Sequence, residues 1–116
     1  MSQKKHMTPL EVIGIYPEHH FTLASLLQSR LDFDPSRPFI IFNEKMISWK
    51  AFSDSRDRAA QMLLARGVKR GDRIAIMAHN HDAHVLLLFA LSRIGAIMVP
   101  VNPEFGIAEA KYILNH

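Results

Sequence analysis

Three histidines stand close together about two-thirds of the way along the chain, in a spacing that suggests metal chemistry. His79, His81 and His84 directly precede a strongly apolar stretch, and Asp82 lies between them. Imidazole and carboxylate groups bind zinc, which needs at least three oriented protein ligands. Residues separated by one position do not share a helix face, so a loop would have to turn His79 and His81 inward. The same residues also fit an exposed loop between a strand and a helix.

A strand, a helix and a second strand must position this loop. Residues 73–78 read RIAIMA and residues 96–101 read AIMVPV, two short apolar runs typical of buried strands. The run VLLLFAL between them is apolar nearly all round, which predicts a buried helix over residues 82–94 that Asn80 or Asp82 caps. Strand, helix and strand in this order predict a βαβ crossover with two parallel strands.

This pattern also predicts where the core of the helix lies. We expect Leu87, Leu88 and Leu91 to be among the most buried residues of the chain. An aspartate in place of Leu88 would then be an unpaired charge in the core and would destabilise the fold by several kcal/mol.

The residues before this unit predict an arm, a helix, a hairpin and a longer helix. Residues 1–20 have no sustained period, whereas Thr22 is a suitable cap for a helix with Leu23, Leu26, Leu27 and Leu31 on its apolar face. The stretch PFIIFNEKMISW predicts a hairpin around residues 43–45. Ser48 precedes a helix that Gly67 ends, with Asp54, Arg56, Asp57 and Arg58 mostly away from its apolar face.

Composition limits the classes of protein that the chain can represent. Its 116 residues are 48% hydrophobic and 22% charged, as in one globular domain with a small core. The net charge of +3 is spread among interleaved acids, which argues against a nucleic-acid interface. The absence of cysteine and of a leading apolar run indicates a cytoplasmic protein. Arg93 interrupts the apolar run 83–101, which therefore fits a helix and a strand better than a membrane span.

Four pieces of the sequence together resemble a known enzyme family. The segments are GVKRGDRIAIMAHN, LSRIGAIMVPVNP, AEAKYIL and, before them, PFIIFNEKMISWKAFSDSRDRAAQMLLARG. In this order and spacing they are similar to the early region of the adenylate-forming acyl-CoA synthetase (AMP-binding) superfamily, which includes fatty-acyl and carnitine-type CoA ligases. The resemblance runs from about Phe21 to the last residue.

The resemblance implies an α/β fold and a chemistry that this chain does not complete. Residues 21–116 would be an incomplete N-terminal subdomain of an AMP-binding domain, with a β-hairpin and a parallel βαβ sheet flanked by helices, and residues 1–20 an arm. The full-length enzymes of the family convert a carboxylic acid, ATP and CoA, with Mg²⁺, to acyl-CoA, AMP and pyrophosphate in fatty acid metabolism. Their Ser/Thr/Gly-rich phosphate loop and adenylation lysine have no counterpart here, so we assign no catalytic, cofactor-binding or metal-ligating residue to this chain.

The resemblance also decides between the two interpretations of the histidines. His79, His81 and His84 fall in a loop that the family builds without a metal, which favours the exposed-loop interpretation.

His19 and His20 lie in the arm with no carboxylate to orient them. Gly67 and Gly71 lack the third glycine of a phosphate loop and fit turns better.

One position remains as a candidate for ligand contact. Asn102 and Pro103 follow the second parallel strand, at the end where open α/β sheets place ligands, although Asn-Pro is equally a turn.

Three hypotheses of function follow from these observations. The first is an N-terminal segment of an acyl-CoA synthetase, inactive alone, whose partner is the remainder of its own enzyme or a second copy. The second is a free-standing interaction module of the same fold, and the third is a small His-rich metal-binding protein. Under the first, an unpaired strand edge near Ile97, Val99 and Val101 would favour self-association.

Overall fold

The computed structural model describes residues 6–15, 20 and 22–116. Within these residues the chain forms helices and strands in the following order: α1 (Pro9–Ile15), α2 (Leu23–Phe33), β1 (Pro38–Phe42), β2 (Lys45–Ser48), α3 (Trp49–Ala65), β3 (Arg73–Met77), α4 (Asp82–Ile94), β4 (Ile97–Val101) and α5 (Ile107–Leu114). The mixed α/β architecture predicted from the sequence is confirmed.

Side-chain caps begin both α2 and α3, and the first of them was predicted. The Thr22 hydroxyl accepts the Ser25 backbone N–H at 3.1 Å at the start of α2. The Ser48 hydroxyl accepts the Ala51 N–H at 3.1 Å at the start of α3. Each bond satisfies one of the backbone donors that a helix leaves unpaired in its first turn.

The predicted hairpin is formed by β1 and β2, which pair antiparallel. Its two-residue turn consists of Asn43 and Glu44, whose φ angles are 47° and 62°. Left-handed φ at both central positions is the geometry of a type I′ turn, whose twist matches that of the flanking strands. Asn43 suits such a position, whereas glutamate is an uncommon occupant of the second.

The predicted βαβ crossover is also confirmed. Strands β3 and β4 are parallel neighbours, with Arg73 opposite Ile97 and Met77 opposite Val101. Gly95 ends α4 in the left-handed conformation at φ 76°. A Cβ atom at Gly95 would lie 2.9 Å from Cγ of Arg70, so both the backbone angle and the close approach favour glycine there.

The side chains of this small parallel sheet alternate in their environment. On β3, Ile74 and Ile76 are half-buried, whereas Arg73, Ala75 and Met77 are exposed. Because successive side chains of a strand point to opposite faces, one face of β3 is covered and the other is open, although Val101, the β4 partner of Met77 on the open face, is buried. Helix α4 packs against β4 and supplies part of this cover.

The core lies among the helices and the hairpin. Leu27 of α2, Phe52 of α3 and Phe89 of α4 form its buried centre. The half-buried hydrophobic residues packed around them are Leu23, Leu31, Phe39, Ile40, Ile47, Trp49, Val85 and Leu86. The hairpin is thereby joined to all three helices by apolar contact.

The expected burial of Leu88 is wrong. Leu91 is completely buried and Leu87 is half-buried, but Leu88 is 39% exposed. Helix α4 packs mainly on α3, with smaller contacts to α2 and β4, so its outer side stays in solvent although its sequence is apolar nearly all round. A helix that is apolar nearly all round has no polar face to mark its solvent side, which is why the sequence did not identify that side.

The N-terminal arm contains a short helix that the sequence pattern did not predict. In α1 every residue is exposed, and Thr8 and Glu11 form a capping pair at its start. The Thr8 backbone N–H donates to a Glu11 carboxylate oxygen at 2.8 Å and the Thr8 hydroxyl donates at 3.0 Å. These two bonds hold the pKa of Glu11 below its usual range.

The prediction for His19 falls outside the described residues, and His20 is exposed.

The apolar run over residues 83–101 is divided between α4 and β4, as predicted. Across the described part of the chain, no helix has the length and apolar character required to cross a membrane.

The first prediction compares two leucines of α4 that differ in burial. We expect Leu91→Ala to lower the free energy of unfolding by about 2–5 kcal/mol, because it leaves a cavity in a completely buried position. Leu88→Ala serves as the control and should cost about 1 kcal/mol or less, because Leu88 is already partly in water. Urea unfolding followed by circular dichroism measures both changes, and equal losses would contradict the burial described for α4.

The second prediction concerns the cap of α3. Ser48→Ala should lower the free energy of unfolding by about 1 kcal/mol, because the Ala51 N–H loses its acceptor. Ser48→Asp keeps an acceptor at this position and should remain close to the parent protein in the same denaturant titration. If the aspartate variant lost as much stability as the alanine variant, the stabilising effect of Ser48 would not come from capping.

Candidate functional site

The carboxyl ends of β3 and β4 bring two loops together. The loop after β3 carries His79, Asn80 and His81, and the loop after β4 carries Asn102 and Glu104. The ends of two adjacent parallel strands are where open α/β sheets most often place ligands. This edge is therefore the place to look for chemistry.

The exposed-loop interpretation favoured for the three histidines holds for His79, which is exposed and contacts the other loop, whereas His84 is half-buried. Nε2 of His79 lies 3.6 Å from Oε1 of Glu104, and both side chains are about three-quarters exposed (77% and 75%). A pair so open to water contributes about 0–1 kcal/mol and is screened by salt. The contact links the two loops but does not form an enclosed site.

His81 caps α4, in place of the predicted Asn80 or Asp82. Nδ1 of His81 lies 3.1 Å from the Ala83 backbone nitrogen and 2.5 Å from Oδ1 of Asp82. The same carboxylate oxygen is 2.9 Å from the Ala83 nitrogen. A nitrogen that carries a proton cannot accept one, so Nδ1 either accepts from Ala83 or donates to Asp82 while Asp82 accepts from Ala83. In both arrangements the first turn of α4 keeps an acceptor.

His84 lies in the first turn of α4 and is half-buried. Its Nδ1 is buried without a hydrogen-bond partner among the described residues. The three histidines therefore have three different environments: an exposed loop, a helix cap and a helix flank. No group of three or more histidine, cysteine or acidic side chains within the described residues is arranged to hold a metal ion.

Asn102 forms a turn. Its side-chain oxygen accepts the Glu104 N–H at 3.0 Å and its backbone oxygen accepts the Phe105 N–H at 3.1 Å. Asparagine commonly stabilises a turn in this way, by imitating the backbone of the preceding residue. Of the two interpretations of Asn102 and Pro103, the structure supports the turn.

The first turns of both helices at this edge are occupied by acidic side chains. Asp82 accepts from the Ala83 N–H, and Glu109 accepts the Gly106 N–H at 3.1 Å at the start of α5. Gly67 and Gly71 lie between α3 and β3, before the other end of the sheet, and have φ angles of 91° and 86°. Glycine adopts such left-handed angles without steric cost, which explains its presence at both positions and agrees with the predicted turns.

One charged residue has an environment that the sequence did not predict. Arg56 is 7% exposed, although it was placed mostly away from the apolar face of α3. Its Nη2 lies 2.9 Å from Oδ1 of the half-exposed Asp57. The signal was the spacing of four from Phe52 and to Ala60, since residues four apart lie on the same helix face. The long alkyl stem of arginine allows such burial.

Comparison with known proteins identifies the fold. Residues 27–116 match the family model of the AMP-binding enzymes. A medium-chain acyl-CoA ligase of Danio rerio, ACSF2, is 33% identical over 104 residues, which are 88% of this chain and 17% of that protein. The acyl-CoA ligase SID4 of Ajellomyces capsulatus is 51% identical over 57 residues, 49% of this chain and 10% of that protein.

A solved structure agrees with these relatives. A Rhodopseudomonas palustris protein described as a long-chain-fatty-acid CoA ligase superposes with a TM-score of 0.77 at 31% identity, over 81% of this chain and 24% of that chain. The chain thus spans between a tenth and a quarter of the proteins compared here. The predicted family is confirmed: the chain belongs to the AMP-binding enzymes and corresponds to an N-terminal segment of the adenylate-forming acyl-CoA synthetase superfamily.

Proposed function

We propose that this chain forms the N-terminal part of an ATP-dependent acyl-CoA synthetase. In the complete reaction the acid's carboxylate attacks the α-phosphate of ATP, pyrophosphate leaves, and the acyl group then passes from the adenylate to the thiol of CoA with release of AMP. The match of residues 27–116 to the AMP-binding family is the observation that carries this proposal. The similarity to ligases described as medium-chain and long-chain supports a fatty acid as substrate and a role in fatty acid metabolism.

The role proposed for these residues in the enzyme is structural. Catalysis of adenylate formation needs donors and cations fixed where negative charge develops on the reacting phosphate. At the carboxyl edge of β3 and β4 the His79 and Glu104 side chains are exposed, and the helix starts are occupied by Asp82 and Glu109. These features support a scaffold that carries no adenylation machinery of its own. Its proposed partner is the remainder of an AMP-binding enzyme, in the cytoplasm.

The third prediction tests this division of labour with the 116-residue protein. We expect no ATP–pyrophosphate exchange above background with medium-chain or long-chain fatty acids, because the phosphate loop and adenylation lysine of the family are not in this sequence. Incorporation of labelled pyrophosphate into ATP is the measurement. Exchange that depends on both the acid and a pure sample of this chain would show that it has a catalytic centre of its own.

The fourth prediction tests the family role directly. In a chimera, residues 22–116 of this chain replace the corresponding segment of the Rhodopseudomonas palustris ligase that superposes on them. We expect the chimera to be soluble and to keep acid-dependent pyrophosphate exchange, because the transferred segment supplies the same scaffold and the recipient supplies the reacting groups.

Two controls make the chimera informative. The recipient without its N-terminal segment should lose exchange to background. A chimera that carries Leu27→Asp should also lose it, because a charge would be buried at a completely enclosed position. A folded chimera that binds ATP but forms no adenylate would contradict the proposed role.

A further inference from the structure

The start of α4 offers two acceptors to one backbone donor. The Ala83 nitrogen lies 3.1 Å from Nδ1 of His81 and 2.9 Å from Oδ1 of Asp82. The two acceptor atoms are themselves 2.5 Å apart, so a proton on Nδ1 can be donated to the carboxylate. The caps of α2 and α3 are simpler, because each uses the hydroxyl of Thr22 or Ser48, which does not change its charge with pH.

His81 differs from these hydroxyl caps because its ability to accept depends on its charge. A neutral imidazole has one nitrogen with a free lone pair, whereas in the imidazolium ion both nitrogens carry a proton and neither accepts. Histidine side chains change between these two forms at about pH 5–8. A cap formed by His81 alone would therefore be lost as the pH falls through this range.

Asp82 is placed to accept the bond when His81 is charged. An ionised carboxylate has several lone pairs and can accept from the Ala83 N–H and from a protonated Nδ1 at the same time. The Asp82 side chain is 19% exposed, compared with 59% for His81, so the protein holds the carboxylate close to the first turn of α4. In the charged state both N–H donors thus have a partner.

The neighbours of His81 leave this role to Asp82. The hairpin faces the imidazole with the uncharged ring of Phe42, at a centroid distance of 4.9 Å. Of the described residues, Asp82 is the one in ion-pair contact with His81. The other groups near this cap that can carry a charge are Lys45 on β2, which lines the same small pocket as Asp82, and His79, His84 and Glu104 on the adjoining loops and helix.

We propose that Asp82 makes the cap of α4 tolerant of protonation at His81. When His81 is neutral, the Ala83 N–H has two possible acceptors. When His81 is charged, Asp82 accepts from Ala83 and also binds the protonated Nδ1. The start of α4 therefore keeps its conformation over the pH range in which histidine changes charge. This proposal is independent of the enzymatic role, because all of its hydrogen bonds lie within residues 81–83 and its test uses no substrate.

The fifth prediction removes the carboxylate. In Asp82→Ala the Ala83 N–H keeps only Nδ1 of His81, so its bond should be present near pH 8 and lost near pH 5. We expect the Ala83 amide, relative to its intrinsic exchange rate, to exchange about fivefold faster at the lower pH, the loss expected for one helix cap. The parent protein should show no such change. NMR measures the exchange, and circular dichroism confirms that each protein is folded at both pH values.

Two further variants separate the acceptor from the charge. Asp82→Asn keeps an uncharged acceptor of nearly the same shape and should behave like the parent protein. Adding His81→Asn to Asp82→Ala replaces the histidine with a good cap residue that does not titrate. In this double variant the exchange of the Ala83 amide should no longer depend on pH beyond its intrinsic rate.

Two results would overturn the proposal. The first is a parent protein whose Ala83 amide loses protection near pH 5, because Asp82 would then not replace the charged histidine as acceptor. The second is a folded Asp82→Ala variant whose Ala83 amide is equally protected at both pH values, because His81 would then not be its acceptor. The first result is obtained with the parent protein alone and is available even if Asp82→Ala does not fold.

Discussion

A cluster of four aromatic rings holds the separate pieces of this fold together. Phe39 of the hairpin stacks on Trp49 at the start of α3, with ring centroids 3.8 Å apart. The Phe39 and Phe52 rings meet edge-on at 4.8 Å, as do those of Phe52 and Phe89 at 5.1 Å. Such pairs contribute about 0.5–1.5 kcal/mol each beyond the burial of their area. A two-stranded hairpin is marginal in water by itself, so its position depends on these rings.

The same cluster determines how the parallel pair is supported. Phe89 lies on α4, the crossover helix between β3 and β4, so the ring contacts that fix the hairpin also fix this helix. Parallel strands require such a crossover and are normally covered on both faces. Here the β3 residues of one face are exposed, which leaves the sheet dependent on a further layer or a further strand. The hairpin and the helices are thus the best-packed part of the chain, and the parallel sheet is the part that still has an exposed face.

Local rules accounted for most of the element boundaries. Thr22 was predicted as a cap, Ser48 as the residue before α3 and Gly67 as the end of that helix, all from residue type and position. Each of these depends on the backbone within four residues, which the sequence contains in full. The order of the elements was predicted from the same patterns and is confirmed by the structure, and the comparisons confirm the family resemblance.

Residues whose role depends on neighbours distant in sequence were harder to predict. Leu88 and Leu91 have the same side chain on the same helix, and only the direction of α3 decides which is buried. Arg56 was assigned to solvent by its charge, although the spacing from Phe52 placed it on the buried face. The cap of α4 was predicted at Asn80 or Asp82 because caps are usually serine, threonine, aspartate or asparagine, and His81 occupies that position instead. For Leu88 and Arg56 the tertiary packing decided the outcome, whereas for His81 a local contact with Ala83 did.

The chemistry at the carboxyl edge follows from how the helix starts are satisfied. The first turn of a helix attracts phosphate because its N–H groups are unpaired and its dipole is positive there. In α4 the Ala83 N–H is taken by His81 or Asp82, and in α5 the Gly106 N–H is taken by Glu109. Carboxylates at these positions compete with phosphate for the same donors and repel its charge. A nucleotide bound near this edge would therefore have its phosphates held by other parts of an AMP-binding enzyme, which is the arrangement expected if these residues act as a scaffold.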